Sequence, residues 1–329
     1  MKTGRHLAAA AAFAAAFACA QAIAADGGFV DVLQQPSQPS ALASKALLQA
    51  VVKAGRRLVA VGSRGHIIYS DDAGGSWTQA KVPLSSDLTA AWFADAKHGW
   101  AVGHDGVILA SGDGGETWTL QLTGNDYGAQ GADKPFLDVW FADASNGYAL
   151  GAFNVIVRTT DGGHTWHSWS DRTDNPKQYN LHAIRPAGGS LFIAGEAGLL
   201  LKLDPQSQRF RAVATPYNGS FFGIADAGAN VIVFGLRGNA YSSADGGATW
   251  AKVDAGLQSS IVATAYSAAG RLLLADATGR IAASVDGGRS FARVMTRPSL
   301  PVAGLTEVGN GLLAVVGPRG AAIQRILPR

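Results

Sequence analysis

The sequence has one cysteine, Cys19, and two methionines, and its only glutamates are Glu116, Glu196 and Glu307. Cys19 sits in an N-terminal segment that reads as a removable leader. The rest of the chain can therefore form no internal disulfide, thiolate metal site or cysteine nucleophile. In an oxidising compartment such a domain must be held by its core and its hydrogen bonds. Charged residues make up only 16% of the chain, too few for a disordered polyelectrolyte. Lys+Arg is 27 and Asp+Glu 24; without Lys2 and Arg5 the balance is 25 against 24, about +1. That leaves no broad basic field for nucleic acid or anionic lipid. The seven histidines show no H-E-x-x-H spacing, and no G-x-S-x-G elbow or phosphate-cradling loop occurs. No metal and no cofactor is expected.

Beyond the N-terminus there is no apolar run long enough to span a bilayer. The N-terminal run, Leu7 to Ala20, falls short of the ~20 residues that a span needs. Lys2 and Arg5 precede it and Ala22-Ile23-Ala24 supplies a small-residue cleavage site, which together spell a secretory signal cut near Ala24 or Ala25. A lipoprotein through Cys19 is disfavoured, because Ala16 stands where leucine is usual. The reading is a signal over 1–25 and one exported domain over 26–329, periplasmic or secreted.

What is abundant is glycine, at 42 residues, between short Val, Ile, Leu, Trp and Phe runs. That is the pattern of many short strands joined by tight turns. One phrase recurs: a strand, a G-x-x-G turn, a second strand, then S/T-x-D-x-G-x-x-W. It appears as Ser70-Asp72-Gly74-Trp77, Ser111-Asp113-Gly115-Trp118, Thr159-Asp161-Gly163-Trp166, Ser243-Asp245-Gly247-Trp250 and Ser284-Asp286-Gly288-Phe291. A worn copy runs from Asp204 to Phe210, and the aspartates fall 41, 48, 43, 41 and 41 positions apart. The turns Gly62–Gly65, Gly103–Gly106, Gly195–Gly198, Gly235–Gly238 and Gly317–Gly320, with altered copies at Gly151–Asn154 and Asp276–Gly279, count seven units. Strand starts at Leu47, Leu88, Leu137, Leu181, Phe221, Ile261 and Val302 give the same count.

A period near 41–48 with about four strands per unit is the mark of propeller blades. The expectation is an all-β, seven-bladed β-propeller with four-stranded antiparallel blades, strands A to D running outward from the axis. In the second blade A is 88–93, B 100–102, C 107–110, and D begins at Trp118. The last blade lacks a D strand before Arg329. Phe29–Leu33, at the mature N-terminus, is expected to supply it and close the ring, removing an open sheet edge. In the S/T-x-D-x-G-x-x-W turn the Asp and Ser/Thr side chains accept turn N–H groups, Gly permits positive φ, and Trp packs between blades. A calcium loop is excluded, since neither alternating acids nor the terminal Glu is present.

These turns resemble the Asp-box, or bacterial neuraminidase repeat, superfamily. The phrases WAVGHDGVILASGDGGETWT at 100–119, YALGAFNVIVRTTDGGHTW at 148–166, FADAKHG and FADASNG resemble more closely the photosystem II assembly and stability factors. The resemblance covers nearly the whole mature chain. It implies a seven-bladed periplasmic or luminal protein that binds membrane-protein subunits during assembly.

In propellers of this kind the B–C turns and D–A loops share one face, opposite the Asp-boxes. That places Arg64, His104, Asp105, Asn154, Glu196, Arg237, Thr278 and Arg319 around one mouth of the axis. Arg64, Arg237 and Arg319 lie in G-x-R-G turns, and the guanidinium fork suits carboxylates and backbone carbonyls. Two long D–A loops rise beside them: 120–136 with Tyr127, and 168–180 with Arg172 and Tyr179. Asp138 and His182 sit near the start of A strands, as satisfied polar lining residues.

A glycosidase needs a pair of carboxyls, or a Tyr nucleophile with an acidic partner and an arginine triad in the sialidase manner. Glu116, in an Asp-box turn, and Glu307, in the last A–B turn, read as lying on the wrong face; Arg185-Pro186 reads as an A–B turn, and sialidases have six blades. Only Glu196, with Asp126, Asp138, Asp171 and Asp174, keeps hydrolysis open. The expectation is a monomeric, non-enzymatic scaffold or assembly factor for envelope or membrane-protein subunits. The alternative is a glycan-binding or glycan-cleaving propeller, with Tyr127, Tyr179, Tyr217 and Phe136 as its aromatic candidates.

Overall fold

The computed structural model describes residues 30–127, 134–267, 270–297 and 299–327. The leader assigned to 1–25 lies outside them. The chain divides into two units, Met1–Val30 and Asp31–Arg329, and the second carries the fold.

Seven four-stranded antiparallel sheets follow one another along the chain. Blade 1 is Leu48–Ala54, Arg57–Gly62, Ile67–Ser70 and Thr78–Gln79, and blade 2 is Leu88–Phe93, Gly99–Gly103, Ile108–Ser111 and Thr119–Leu122. Blade 3 is Phe136–Phe141, Gly147–Gly151, Ile156–Thr159 and His167–Ser168, and blade 4 is Leu181–Ala187, Ser190–Gly195, Leu200–Asp204 and Arg209–Ala212. Blade 5 is Phe221–Ala227, Asn230–Gly235, Ala240–Ser243 and Ala251–Val253, and blade 6 is Ile261–Tyr266, Leu272–Asp276, Ile281–Ser284 and Ala292–Val294. Blade 7 is Gly304–Gly309, Leu312–Gly317 and Gly320–Ile326, with Thr296–Arg297 at its edge.

The core explains the unbroken apolar runs of the B strands. Leu58 and Ala60 face the junction of blades 7 and 1, while Val59 and Val61 face that of blades 1 and 2. Each blade is buried on both faces, so alternation disappears from its middle strands. Seven such clusters, one per junction, complete the ring.

Ring closure departs from expectation. Thr296 and Arg297 pair antiparallel with Ile326 and Arg325, so the edge expected for Phe29–Leu33 is taken by the chain just after blade 6. Asp31–Gln34 forms a turn instead. The Ser85 N–H donates to the Val32 carbonyl at 2.9 Å, and Leu33 packs on the core between blades 1 and 2. Blades 7 and 1 meet by side-chain packing of Leu58, Ile68, Ala314, Val316 and the half-buried Ile323.

Both glycines of G-x-x-G are demanded by close approach. A Cβ on Gly103 would stand 2.1 Å from the Asp87 carbonyl oxygen before strand A, and one on Gly238 1.9 Å from the Leu257 oxygen in the next loop. In FADAKHG and FADASNG the phenylalanine lies over the glycine opposite: Phe93 pairs with Gly99 and Phe141 with Gly147. Asp95 and Asp143 close these turns on the N–H groups of Lys97, His98, Ser145 and Asn146.

The S/T-x-D-x-G-x-x-W turns share one network. Ser70 Oγ donates to Asp72 Oδ1 and accepts the Gly74 N–H, both at 2.8 Å. The Ser76 N–H and hydroxyl donate to the two Asp72 oxygens at 2.8 and 2.7 Å. Thr159, Ser111, Ser243 and Ser284 repeat the pattern. Trp77, Trp118, Trp166, Trp250 and Phe291 each pack toward the preceding blade.

The bonds from Ser76 hold the Asp72 carboxyl near a pKa of about 2. Asp161, Asp245 and Asp286 are held still lower, chiefly by the hydroxyls of Thr165, Thr249 and Ser290. At Asp113 burial opposes the shift, but Thr117 and Ser111 keep the carboxyl low. A folded pKa below the unfolded value of about 3.9 contributes stability that is present above pH ~4 and lost as pH falls. The melting midpoint should therefore hold from pH 7 to about 4 and drop steeply toward pH 2. Asp161→Asn should flatten that drop. A midpoint unchanged on acidification would remove this role for the turns.

Candidate functional site: the turn face and the axial cavity

Five B–C turns are type I′, with two consecutive left-handed residues. In blade 1 the His66 N–H donates to the Ser63 carbonyl at 3.0 Å, across Arg64 at φ 58 and Gly65 at φ 66. Asp105, Phe153, Ala197 and Arg237 take the position of Arg64 in blades 2 to 5. In blades 1, 3 and 5 the N–H at this position is caught by the residue that precedes the next blade. Arg64 N donates to Asp87 Oδ1 at 2.7 Å, Phe153 N to Asn180 Oδ1 at 2.8 Å, and Arg237 N to Ser260 Oγ at 3.4 Å. The carbonyls of Asp87, Asn180 and Ser260 meanwhile accept from the turns of their own blades, at His104, Glu196 and Ala277. B–C turns and D–A segments therefore share one face, as expected.

Arg64, Arg237 and Arg319 are exposed on this face, and among the described residues their guanidinium groups have no hydrogen-bond or ion-pair partner. Ser44 and Lys45 lie against Gly320, which brings Lys45 beside Arg319. The other candidates are spent more locally. Asp105 accepts the Ser86 hydroxyl at 2.6 Å, and His104 is exposed. Both Glu196 oxygens are taken by Asn180, from its N–H at 2.9 Å and its Nδ2 at 3.0 Å. Arg172 lies 5.0 Å over the Trp169 ring, and Lys177 5.7 Å over that of Tyr179. Tyr127 ends the short helical turn Gly124–Tyr127. Of the aromatic candidates, Phe136 is fully buried, and the Tyr217 hydroxyl donates to the Leu236 carbonyl at 3.0 Å.

The first strands of all seven blades line an axial cavity of about 770 Å³. Asp138, 4% exposed, accepts from Arg185 Nη1 at 2.5 Å and Nη2 at 3.1 Å, and from the Ile184 N–H at 2.9 Å. Burial raises its carboxyl above the ordinary range, against the opposing pull of Arg185 and the Ile184 N–H. Arg185 also lies 5.1 Å over the Trp92 ring. His182 Nδ1 donates to the Phe221 carbonyl at 2.8 Å, as Thr89 Oγ1 does to that of Phe136 at 2.8 Å. Asp138 and His182 thus line the cavity, the Asp138 carboxylate and His182 Nδ1 both engaged.

Two placements differ from the sequence reading. Arg185-Pro186 lies inside strand Leu181–Ala187, and Glu307 inside Gly304–Gly309, where it is buried. Sequence reasoning misplaced Arg185 and passed over Phe153 and the bridging residues Asp87, Asn180 and Ser260. The one local signal was an aromatic in G-A-F-N, where sister turns carry arginine or a small residue.

On the opposite face Arg57 reaches Asp71 at 2.7 Å and Glu116 of the next blade at 2.9 Å. Among the described residues no group of three His, Asp or Glu is placed to hold a metal, and no helix is long and apolar enough to cross a membrane.

A family model described as photosynthesis system II assembly factor YCF48 matches residues 128–300. The chloroplast photosystem II stability/assembly factor HCF136 of Guillardia theta is 42% identical over 52 residues, 15% of this chain and 13% of that protein. YCF48 bound to D1 peptide superposes with a TM-score of 0.67 at 14% identity, covering 89% of this chain and 97% of that one. YCF48 from Cyanidioschyzon merolae gives 0.65 at 17%, covering 88% and 98%. The WD40 propeller domain of Doa1 gives 0.64 at 12%, covering 90% and 96%. At such identities the superpositions speak for the fold alone.

Proposed function

This chain belongs to the photosystem II assembly factor YCF48 family, and we propose that it is an exported, non-enzymatic propeller that holds a membrane-protein subunit while its complex is assembled. The observation that carries the reading is the turn face, with Arg64, Arg237 and Arg319 exposed and, among the described residues, unpaired. Guanidinium groups on rigid turns are presented to the carboxylates and backbone carbonyls of an extended segment. That YCF48 takes a D1 peptide supports a peptide of a membrane-protein subunit as the ligand here. The leader at 1–25 would deliver the protein to the periplasm. Hydrolysis has less support, because Glu196, Asp126 and Asp138 accept hydrogen bonds from their own neighbours and Asp174 pairs with Arg211.

Exposed ion pairs contribute up to about 1 kcal/mol each, so losing three should weaken binding by roughly 10- to 100-fold. The test titrates fluorescein-labelled D1 peptide by anisotropy against wild type and the Arg64→Ala/Arg237→Ala/Arg319→Ala variant. Envelope capture with both proteins runs alongside, and circular dichroism verifies their folding. Loss of peptide and of a membrane-protein client by the folded variant is the expected result. Equal binding by both would reduce the arginines to turn chemistry and overturn this placement of the site.

A further inference from the structure

Blade 3 breaks the pattern of its neighbours. The two left-handed turn positions hold Arg64-Gly65, Asp105-Gly106, Ala197-Gly198 and Arg237-Gly238, but in blade 3 they hold Phe153 at φ 51 and Asn154 at φ 63. A type I′ turn selects Asn, Asp or Gly, and a bulky aromatic there is strained. Asn154 has a local use. Its Nδ2 donates to the Ser170 carbonyl at 3.0 Å, and its Oδ1 accepts from Thr173 Oγ1 at 2.9 Å and Asn175 Nδ2 at 3.0 Å. The Phe153 ring has none: it is 57% exposed. An exposed aromatic held in a left-handed backbone is what singles out this position, and such strain points to a functional role.

The turn beneath the ring is fixed. Phe153 N–H is held by Asn180 Oδ1 at 2.8 Å, and Asn180 Nδ2 by Glu196 Oε1 at 3.0 Å. An aromatic on a rigid mount anchors a partner at small cost in side-chain entropy. The same face supplies the charge that selects the partner. Arg64 and Arg237 lie two blades to either side, unpaired among the described residues, and Arg172 and Lys177 stand in the neighbouring loop 168–180.

We infer that Phe153 is the apolar anchor of the turn face, and that it takes a bulky apolar side chain of an extended acidic peptide. This rests on the proposed function and names the chemistry of its client. The arginines select the carboxylates, and Phe153 sets where along the peptide the apolar residue must fall.

Random-sequence peptides displayed on phage and panned on the wild-type protein supply the probe. The enriched peptides are then titrated against Phe153→Asn, Phe153→Trp and the triple-arginine variant. Enriched peptides should pair acidic residues with a bulky apolar one. Phe153→Asn should bind at least about tenfold more weakly and melt about 1–2 °C higher, because the turn strain is relieved. Phe153→Trp should keep binding. Acidic enrichment with no apolar residue, or wild-type affinity in Phe153→Asn, overturns the anchor and leaves the arginine face standing. No enrichment by the wild type overturns both.

Discussion

Gly198→Ala is expected to remove about 4 kcal/mol or more of unfolding free energy, whereas Gly189→Ala removes only about 1 kcal/mol. The two glycines share a left-handed backbone, at φ 79 and φ 75, so the conformational cost of a side chain is common to both. They differ in what surrounds them. A Cβ on Gly198 would stand 1.9 Å from the Tyr217 carbonyl oxygen, while one on Gly189 meets nothing within 4 Å. The Gly198 N–H also donates to the Gly219 carbonyl at 2.8 Å, so the turn cannot retreat without breaking the bond that ties it to the loop. The neighbour is backbone and has no rotamer to give. Overpacking alone costs about 1–3 kcal/mol where side chains can shift, and here they cannot. Urea unfolding of the two variants, fitted with a common m-value, isolates the difference. Equal losses would show that close approach has no part in the G-x-x-G motif.

Asp138→Ala should cost about 3 kcal/mol, and Asp138→Leu/Arg185→Leu clearly less. The single substitution removes a buried carboxylate and strands two donors, the Arg185 guanidinium and the Ile184 N–H, both within hydrogen-bond reach of Asp138. Breaking one partner of a buried pair leaves an uncompensated charge, typically at 3–5 kcal/mol. The lower end applies because the Arg185 side chain is 30% exposed and can turn to water in the axial cavity. The double variant removes the charge with its partner and leaves two neutral backbone groups, the Ile184 N–H and carbonyl, without Asp138 and Arg185; a neutral group left unsatisfied costs about 1–3 kcal/mol, less than a stranded charge. Thermal and urea unfolding of wild type, Asp138→Leu, Arg185→Leu and the double close a mutant cycle. An additive double variant would show that the two residues do not act as a pair.

Most of the blade architecture was legible because it is written in short, local spacing. The strand of blade 2 expected at 88–93 is observed as Leu88–Phe93, and the outer strand expected from Trp118 begins at Thr119. The turn face was legible too, since Gly103 and Gly106 bracket a turn wherever it sits in the ring. The use of each side chain on that face was not. Glu196 looked like a free acid in G-E-A-G, and only the approach of Asn180, 16 residues earlier, shows its oxygens to be occupied. Arg185 was misplaced because proline follows it. Pro186 nevertheless stands in the innermost strand, where its missing N–H is tolerated beside the cavity.

The sequence by itself determined the number of blades, the order of strands within each, the turns that join them and the face on which the arginines stand. These follow from hydrophobic periodicity and from glycines that particular dihedral angles require, and both act over a few residues. Only the tertiary structure decided how the ring closes, why Asp138 is paired, and that Phe153 is left exposed. Closure turned on which segment pairs with the edge of blade 7, and it is Thr296–Arg297 rather than the N-terminal one. Asp138 and Arg185 are 47 residues apart and meet across a blade junction. Such contacts join residues whose separation is set by the packing of whole blades, and no local pattern in the chain records them.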